Sequence, residues 1–304
     1  MKTTDIMQKV ADQVIKNIDK YDDNWLKPWV KSGMPKNIRG TYYNGMNTII
    51  LWCVQEENKY VSRTFATFNQ IKAKGGKVKK GEKGHQVIYM QPALFRNIRK
   101  GEKPNSVHED SIKVQYNLMR TYYVFNLDQT TLEDKDIVVA DGADTIPKVE
   151  QYIKNTKADI KHDNKLYAGK CYYVPSLDYI GMVDKDKFNN TDSANATENY
   201  YSTILHELTH WTGHKSRCDR QEKYKAKYFD DIDKYAFEEL VAEIGSAIQS
   251  CMLGVTSVPA KHNYQYINSW KMKIKEQPNV LFKASSYAQA GVNHILELQK
   301  EKSV

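Results

Sequence analysis

Residues 204–214 read ILHELTHWTGH, and the meaning of their three histidines decides how the C-terminal half of the chain folds. His206 and His210 lie four residues apart on a segment, NYYSTILHELTHW, with helical periodicity. That spacing stacks two imidazoles roughly 6 Å apart along one helix face, where both can reach one metal ion. Glu207, beside the first histidine, is positioned to touch a metal-bound water rather than the ion. The competing reading is a solvated helix face with two ordinary histidines, and it calls for no further ligand.

A third ligand is therefore the next question. His214 would lie about 12 Å along a continued helix from His206, far beyond the reach of bonds of about 2.0–2.1 Å. Gly213 is expected to end the helix, but the extended H-E-x-x-H-x-x-G-x-x-H pattern needs its last histidine at a position held here by Ser216. His214 is accordingly read as a helix-end group or a hydrogen-bonding partner behind the ligands. A better candidate lies in YAFEELVAEIGSAIQS (235–250), where Phe237, Leu240, Val241, Ile244 and Ile248 form one apolar stripe. Glu239 and Glu243 share another face, with the small residues Ala236, Ala242, Ser246 and Ala247 nearby. No lysine or arginine occurs between 235 and 260, in a chain with 45 of them. A cation-free helix with small residues on its polar side is expected to be buried there too, and buried carboxylates need a metal or hydrogen-bond partners.

Glu239 is thus the expected third ligand, with Glu238 its rival. Glu243, one turn on, is expected to accept a hydrogen bond from the outer nitrogen of a ligand histidine. Two histidines and a glutamate are the donor set of zinc peptidases, and they leave a position for water whose proton Glu207 can take. One Zn²⁺ ion is expected, with manganese or another divalent ion left open. Tyr235, His262 and Tyr266 are open candidates for stabilising an oxyanion, and the strand DYIGMV could pair along its edge with an extended peptide.

The totals narrow the class. The 304 residues allow two domains, and 40% hydrophobic content with only 8 prolines fits a folded chain. The first twenty residues lack the apolar core of a signal peptide, and no run of about eighteen apolar residues suggests a membrane span. Four scattered cysteines without a C-x-x-C pair fit structural thiols in a reducing compartment, so a cytoplasmic protein is expected.

Charge divides the chain. Residues 1–130 hold 22 Lys/Arg and 12 Asp/Glu, a balance of +10, while the remainder holds 23 and 25, a balance of −2. Helices are expected over 3–20, from near Asn47 and over Thr67–Lys74, followed by strands in HQVIYMQPALF and QYNLMRTYYVFNL. The acidic, turn-rich stretch 128–144 reads as a boundary. Beyond it come a helix in TIPKVEQYIKN, strands in KCYYVPSLDYIGMV, helices near 199–213 and 234–253, and a helical C-terminus. The expectation is an α+β chain of two domains, 1–127 and 146–304, joined by a linker at 128–145.

Between Lys72 and Lys103 there are ten Lys/Arg and two glutamates. Lys77, Lys79, Lys80 and Lys83 lie among turn glycines, where backbone N–H groups and ammoniums suit phosphate without base readout. Trp25, Trp29, Tyr42, Tyr43, Phe65 and Phe68 are candidate stacking platforms, and a basic groove with aromatics suits single-stranded nucleic acid. The alternative is a solvated lysine-rich hairpin and core tryptophans.

The chain resembles the ArdC-type antirestriction proteins of conjugative plasmids and other mobile elements. The resemblance runs through WLKPWV, GMPKNIRGTYYNGMNTIILW, FATFNQIKAKGGKVKKGEKG and YYVFNLDQT, then YYVPSLDYIGMV, YYSTILHELTHWTGHKSRCDR, YAFEELVAEIGSA and YINSW. It implies an N-terminal domain that binds single-stranded DNA without sequence preference and a C-terminal zincin-like metallopeptidase domain. It also implies a role in protecting incoming DNA from restriction. The family's metal-site motif falls on His206, Glu207, His210 and the EELVAE segment, and Cys218 stands where leucine is expected. A host protein is one candidate substrate, and the sequence does not name it; the rival reading keeps the DNA binding and makes the metal domain structural and non-catalytic.

Overall fold

The computed structural model describes residues 3–21, 25–26, 32–96, 113–134, 145–163, 170–191, 194–220, 234–255 and 264–300. The N-terminal apolar stripe forms α1 (Thr3–Tyr21), which buries Val10, Ala11, Val14 and Ile18. α2 (Met46–Asn58) is apolar around most of its circumference and is covered on both sides, as such a helix requires. Asn47 fastens its first turn to a strand, accepting from Ile88 N–H at 2.9 Å and donating to Ile88 O at 2.7 Å. α3 (Phe68–Ala73) begins at a reciprocal cap between Thr67 and Gln70 and stops ahead of Gly75, whose φ of 77° favours glycine.

Four strands accompany these helices: β1 (Lys36–Asn37), β2 (Thr64–Ala66), β3 (His85–Arg96) and β4 (Lys113–Asn126), in the order β1-β2-β4-β3. β1 and β2 are parallel and the other pairs antiparallel, with β3 and β4 in register from His85↔Val124 to Arg96↔Lys113. Leu51 and Val54 of α2 cover one face, against Phe65, Val87 and Val124. The lysine-rich loop between α3 and β3 is tied to the turn after β4. Lys79 N–H donates to Gln129 O at 2.9 Å, Thr131 N–H donates to Lys77 O at 2.9 Å, and Gly76 lies flat against Leu132.

The second half starts with α4 (Thr145–Thr156) and a sheet of β5 (Asp159–His162), β6 (Tyr172–Val174) and β7 (Tyr179–Met182) in the order β5-β7-β6. β7, the DYIGMV strand, is the central one, paired with β5 on one side and β6 on the other. Its edges are used, so the expected pairing of a peptide along DYIGMV does not hold; β5 and β6 are the outer strands of this sheet among the described residues. Among the described residues, the helices α5 (Ala196–Trp211), α6 (Lys234–Leu253), α7 (Tyr264–Glu276) and α8 (Asn279–Leu298) follow. α5 begins three residues earlier than its periodicity suggests, because Asn195 accepts from Glu198 N–H while Glu198 accepts from Asn195 N–H, both at 2.9 Å.

This is an α+β molecule of two domains whose cores are not separate. Ile180 and Met182 of the smaller sheet pack under Tyr201, Ile204, Leu205 and Leu208 of α5. The larger cluster draws Val14 from α1, Ile49 from α2, Ile244 from α6, Trp270 from α7 and Leu281 from α8. Trp25 belongs to that cluster and is only 1% exposed. Its indole presents no face to a base, which removes it from the candidate stacking residues. Among the described residues no helix is long and apolar enough to cross a membrane.

A cluster built from both halves makes them unfold together. Ile49→Ala and Ile244→Ala are each expected to cost about 2–4 kcal/mol and to lower the same single transition in urea, followed by circular dichroism. Two transitions, each moved by only one substitution, would contradict this.

Candidate metal centre

The close approach of α5 and α6 builds the site. Gly245 of α6 faces Thr209 of α5 so tightly that a Cβ there would meet the threonine Cγ2 at 2.5 Å. A mid-helix glycine costs about 1 kcal/mol relative to alanine, and here it lets the two backbones come together. Polar side chains then stitch the seam: Gln249 Nε2 donates to Thr209 Oγ1 at 2.8 Å and to Leu205 O at 3.2 Å, and Ser246 Oγ donates to Ser202 O at 3.2 Å.

Two turns along that seam, His206, His210 and Glu239 converge, each offering a donor atom within 4.8 Å of the others. The two Nε2 atoms are 3.1 Å apart, and Glu239 Oε2 and Oε1 lie 3.3 Å from His206 Nε2 and 3.5 Å from His210 Nε2. A tetrahedral site with bonds of about 2.0–2.1 Å has donors roughly 3.4 Å apart. The three side chains therefore form one face of a coordination shell of ordinary size.

The outer nitrogens face carboxylates. Glu243 Oε1 is 3.4 Å from His206 Nδ1, within ion-pair distance though outside hydrogen-bond geometry. Glu238 Oε1 is 3.3 Å from His210 Nδ1. Glu238 is in turn gripped by Arg220, whose Nη2 donates to its Oε1 at 2.6 Å. That arginine is 0% exposed, and it also donates to Thr212 Oγ1 and Thr209 O, both at 2.6 Å. Gly213 leaves room for the guanidinium, since a Cβ there would meet its Nη2 at 2.9 Å. Glu207 is buried, and the backbone of Tyr173 on β6 favours its charged form.

The electrostatics follow from burial. Desolvation alone would lower both histidines, yet Glu239 and Glu243 hold the His206 pKa well above its ordinary value, and Glu239 with Glu238 carry His210 up to about 9. Burial would raise Glu238, but the charge of Arg220 brings it down to about 2. Glu239 lies far below the usual carboxylate range, burial being outweighed by the two histidines. Burial raises Glu207, and the nearby histidines only partly offset it. With neutral histidines, four carboxylates face one arginine here, an excess of negative charge in a low-dielectric seam that favours a cation.

His214 is not part of this cluster. The helix ends at Trp211, and the following turn carries His214 to Ser216 Oγ (2.7 Å) and toward Asp178 Oδ2 (3.8 Å), beside the Arg217–Asp178 ion pair. It is a helix-end group and not a partner behind the ligands. Tyr235 is exposed, while His262 and the side chain of Tyr266 lie outside the described residues. Arg220 escaped the sequence reading because its partner is eighteen positions away. A Glu-Glu pair in a stretch without cations (235–260) was the available hint that a buried countercharge must come from elsewhere.

In the basic half, Lys77, Lys79, Lys80 and Lys83 are all exposed on the pinned loop, Lys79 Nζ donating to Asp128 O at 2.8 Å. Phe68 and Tyr42 are 57% and 47% exposed, Tyr43 is half-buried edge-on to Phe65, and Phe65 itself is fully buried. Trp29 lies outside the described residues.

Two measurements test this geometry. Gly245→Ala is expected to destabilise by about 1–3 kcal/mol, despite alanine's better helix propensity, because Thr209 must move; an unchanged melting temperature would show that the seam is loose. In the presence of a chelator, a histidine with a raised pKa stabilises the fold fully below about pH 6.5 and loses that contribution as pH rises through about 9. Urea midpoints of the chelated protein should accordingly fall between pH 6.5 and 9, by the equivalent of roughly 2–3 kcal/mol, and His210→Gln should flatten the profile.

Comparison with known proteins fits both halves. A family model for the N-terminal domain of the anti-restriction factor ArdC matches residues 4–125, and one for a zincin-like metallopeptidase matches residues 147–287. The metal-free crystal structure of the antirestriction protein ArdC from plasmid R388 is 33% identical, with a TM-score of 0.77 and 97% of each chain covered. Its Mn(II)-bound structure aligns at 30% identity and a TM-score of 0.72, over 98% of this chain and 99% of that one. The DNA primase TraC of Escherichia coli is 30% identical over 312 residues, covering 97% of this chain but 27% of the primase, so the chain spans about a quarter of that relative. The uncharacterised protein y4eC of Sinorhizobium fredii is 27% identical over 94% of this chain and 90% of its own length. With matching domains in the same order and a solved relative aligned over nearly its whole length, the chain belongs to the ArdC antirestriction family.

Proposed function

We propose that this protein is a mobile-element antirestriction factor that binds single-stranded DNA without sequence preference and hydrolyses a protein substrate at a zinc-dependent peptidase site. The observation that carries the peptidase reading is the triangle of His206 Nε2, His210 Nε2 and the Glu239 carboxylate, with edges of 3.1–3.5 Å. His206, His210 and Glu239 would hold the ion, which when bound polarises a scissile carbonyl and acidifies water. Zinc is the ion we expect from two imidazoles and a carboxylate. Manganese is the rival, because the R388 relative was crystallised with Mn(II).

Glu207 is the general base in this reading: its buried carboxylate, made more basic than usual by desolvation, accepts the proton of the attacking water at an Oε atom. Glu238 and Glu243 orient the two imidazoles from behind, and Arg220 holds Glu238 ionised. An extended peptide running beside β6 would come close to Glu207, which is tied to that strand through Tyr173. The DNA reading rests on the exposed lysines of the pinned loop and the exposed Tyr42 and Phe68, and on primase and ArdC relatives. We assign the DNA function to 1–127 and the peptidase function to 146–304, joined at 128–145, and place the protein in the cytoplasm with the incoming DNA.

His206→Ala and Glu239→Ala should each abolish stoichiometric metal measured by elemental analysis. Glu207→Gln should keep the metal while losing peptide hydrolysis by about 100-fold or more; full protection of DNA by that variant would favour a structural metal domain. Affinity for oligo-dT should fall steeply with salt, as phosphate contacts require, and a flat salt response would end the DNA reading.

A further inference from the structure

A cleft of about 710 Å³ opens between the four-stranded sheet and α8, away from the histidine seam. Its volume is in the range of about 300–1,000 Å³ typical of small-molecule sites. One wall is aromatic: Tyr42, Tyr43, Tyr89 and Tyr122 line it, with Tyr42 and Tyr89 each nearly half exposed and Tyr89 edge-on to Tyr122 at 5.8 Å. The other wall is α8, which supplies Phe282 and the polar Ser286, Gln289 and Asn293. The walls are fastened together, because Gly45 N–H donates to Gln289 Oε1 at 2.9 Å and Ser285 Oγ reaches Met46 Sδ at 3.5 Å.

The lining contains no lysine, arginine, aspartate or glutamate. A phosphate or any other ionic group would gain nothing there, whereas a neutral planar ring with polar edges finds aromatic faces to stack on and amide and hydroxyl groups to bond. The cations stand outside. Arg120 is exposed and directly opposite Tyr89 in the β3–β4 register, hence on the same sheet face, and Arg39 is exposed two residues beyond Asn37 of the lining. A neutral aromatic slot with guanidiniums beside it matches a nucleotide whose base enters while its phosphates stay on the rim.

We propose that this interdomain cleft receives an unpaired nucleobase of the DNA strand. The inference rests on the single-stranded DNA reading above and deepens it. Phosphate contacts alone do not distinguish one strand from two; a slot that admits only an unstacked, unpaired base does so without reading sequence. Because α8 forms one wall, a base held there touches both domains at once.

The test measures fluorescence anisotropy of the full-length protein with a labelled 20-mer oligo-dT and with the same 20-mer carrying abasic residues throughout. The wild type is expected to bind oligo-dT roughly tenfold more tightly than the abasic strand. Tyr89→Ala should remove that preference while leaving abasic binding unchanged. Ser286→Trp, which fills the cleft from its exposed opposite wall and disturbs no core, should do the same and stands as the decisive variant if Tyr89→Ala folds poorly. Equal binding of both strands by the wild type, or a preference that survives Ser286→Trp, overturns the cleft while leaving DNA binding intact. Failure of the wild type to bind either strand overturns the DNA reading and the cleft with it.

Discussion

The architecture of the C-terminal half depends on how closely two helices can approach. Gly245 against Thr209 sets that distance, and everything that matters chemically lies within two turns of the contact. Imidazoles on one helix and a carboxylate on the next can share a cation only if their backbones come near enough for short side chains to converge. A larger residue at the seam would move Glu239 away from both histidines while leaving each helix intact. Packing at a non-ionisable position thus governs the electrostatics of the ionisable ones.

That closeness brings a cost, because it buries charge. Glu238, Glu239, Glu243 and Glu207 lie in a region from which water is largely excluded, and each needs an opposite charge or a hydrogen bond. The chain answers with Arg220, returned to the seam by the turn after α5 and fully buried behind Glu238. Even so, negative charge exceeds positive when the histidines are neutral. A proton on the histidine pair or a cation between the three donors relieves the same imbalance, which is why proton and metal compete for one place.

The two domains are arranged around a second constraint, the shared apolar cluster. α2 lies between the larger sheet and the C-terminal helices, with Leu51 and Val54 turned to one side and Ile49 and Trp52 to the other. Helix α8 touches the N-terminal half through Gln289 and the end of the histidine helix through Gly291, where a Cβ would meet the Thr212 hydroxyl at 2.5 Å. One helix therefore meets both the start of α2 and the end of the histidine helix. The lysine loop is likewise held rather than loose, since its backbone is paired to the turn at 127–131.

Much of this was legible in the residue order. The i, i+4 histidines, the lysine-free stretch 235–260 carrying Glu239 and Glu243, the stop at Gly75 and the charge imbalance between halves are patterns of the sequence itself, and such patterns express helix period, turn chemistry and composition directly. The partners of those groups were not legible. Glu238 against His210, Arg220 behind Glu238, Tyr173 beside Glu207, the burial of Trp25 and the departure of His214 all depend on contacts between segments distant in sequence or on the path of a turn. A sequence states which face of a helix is polar. Only close packing decides what that face meets, because burial and proximity are properties of the assembled chain and not of any one stretch of it.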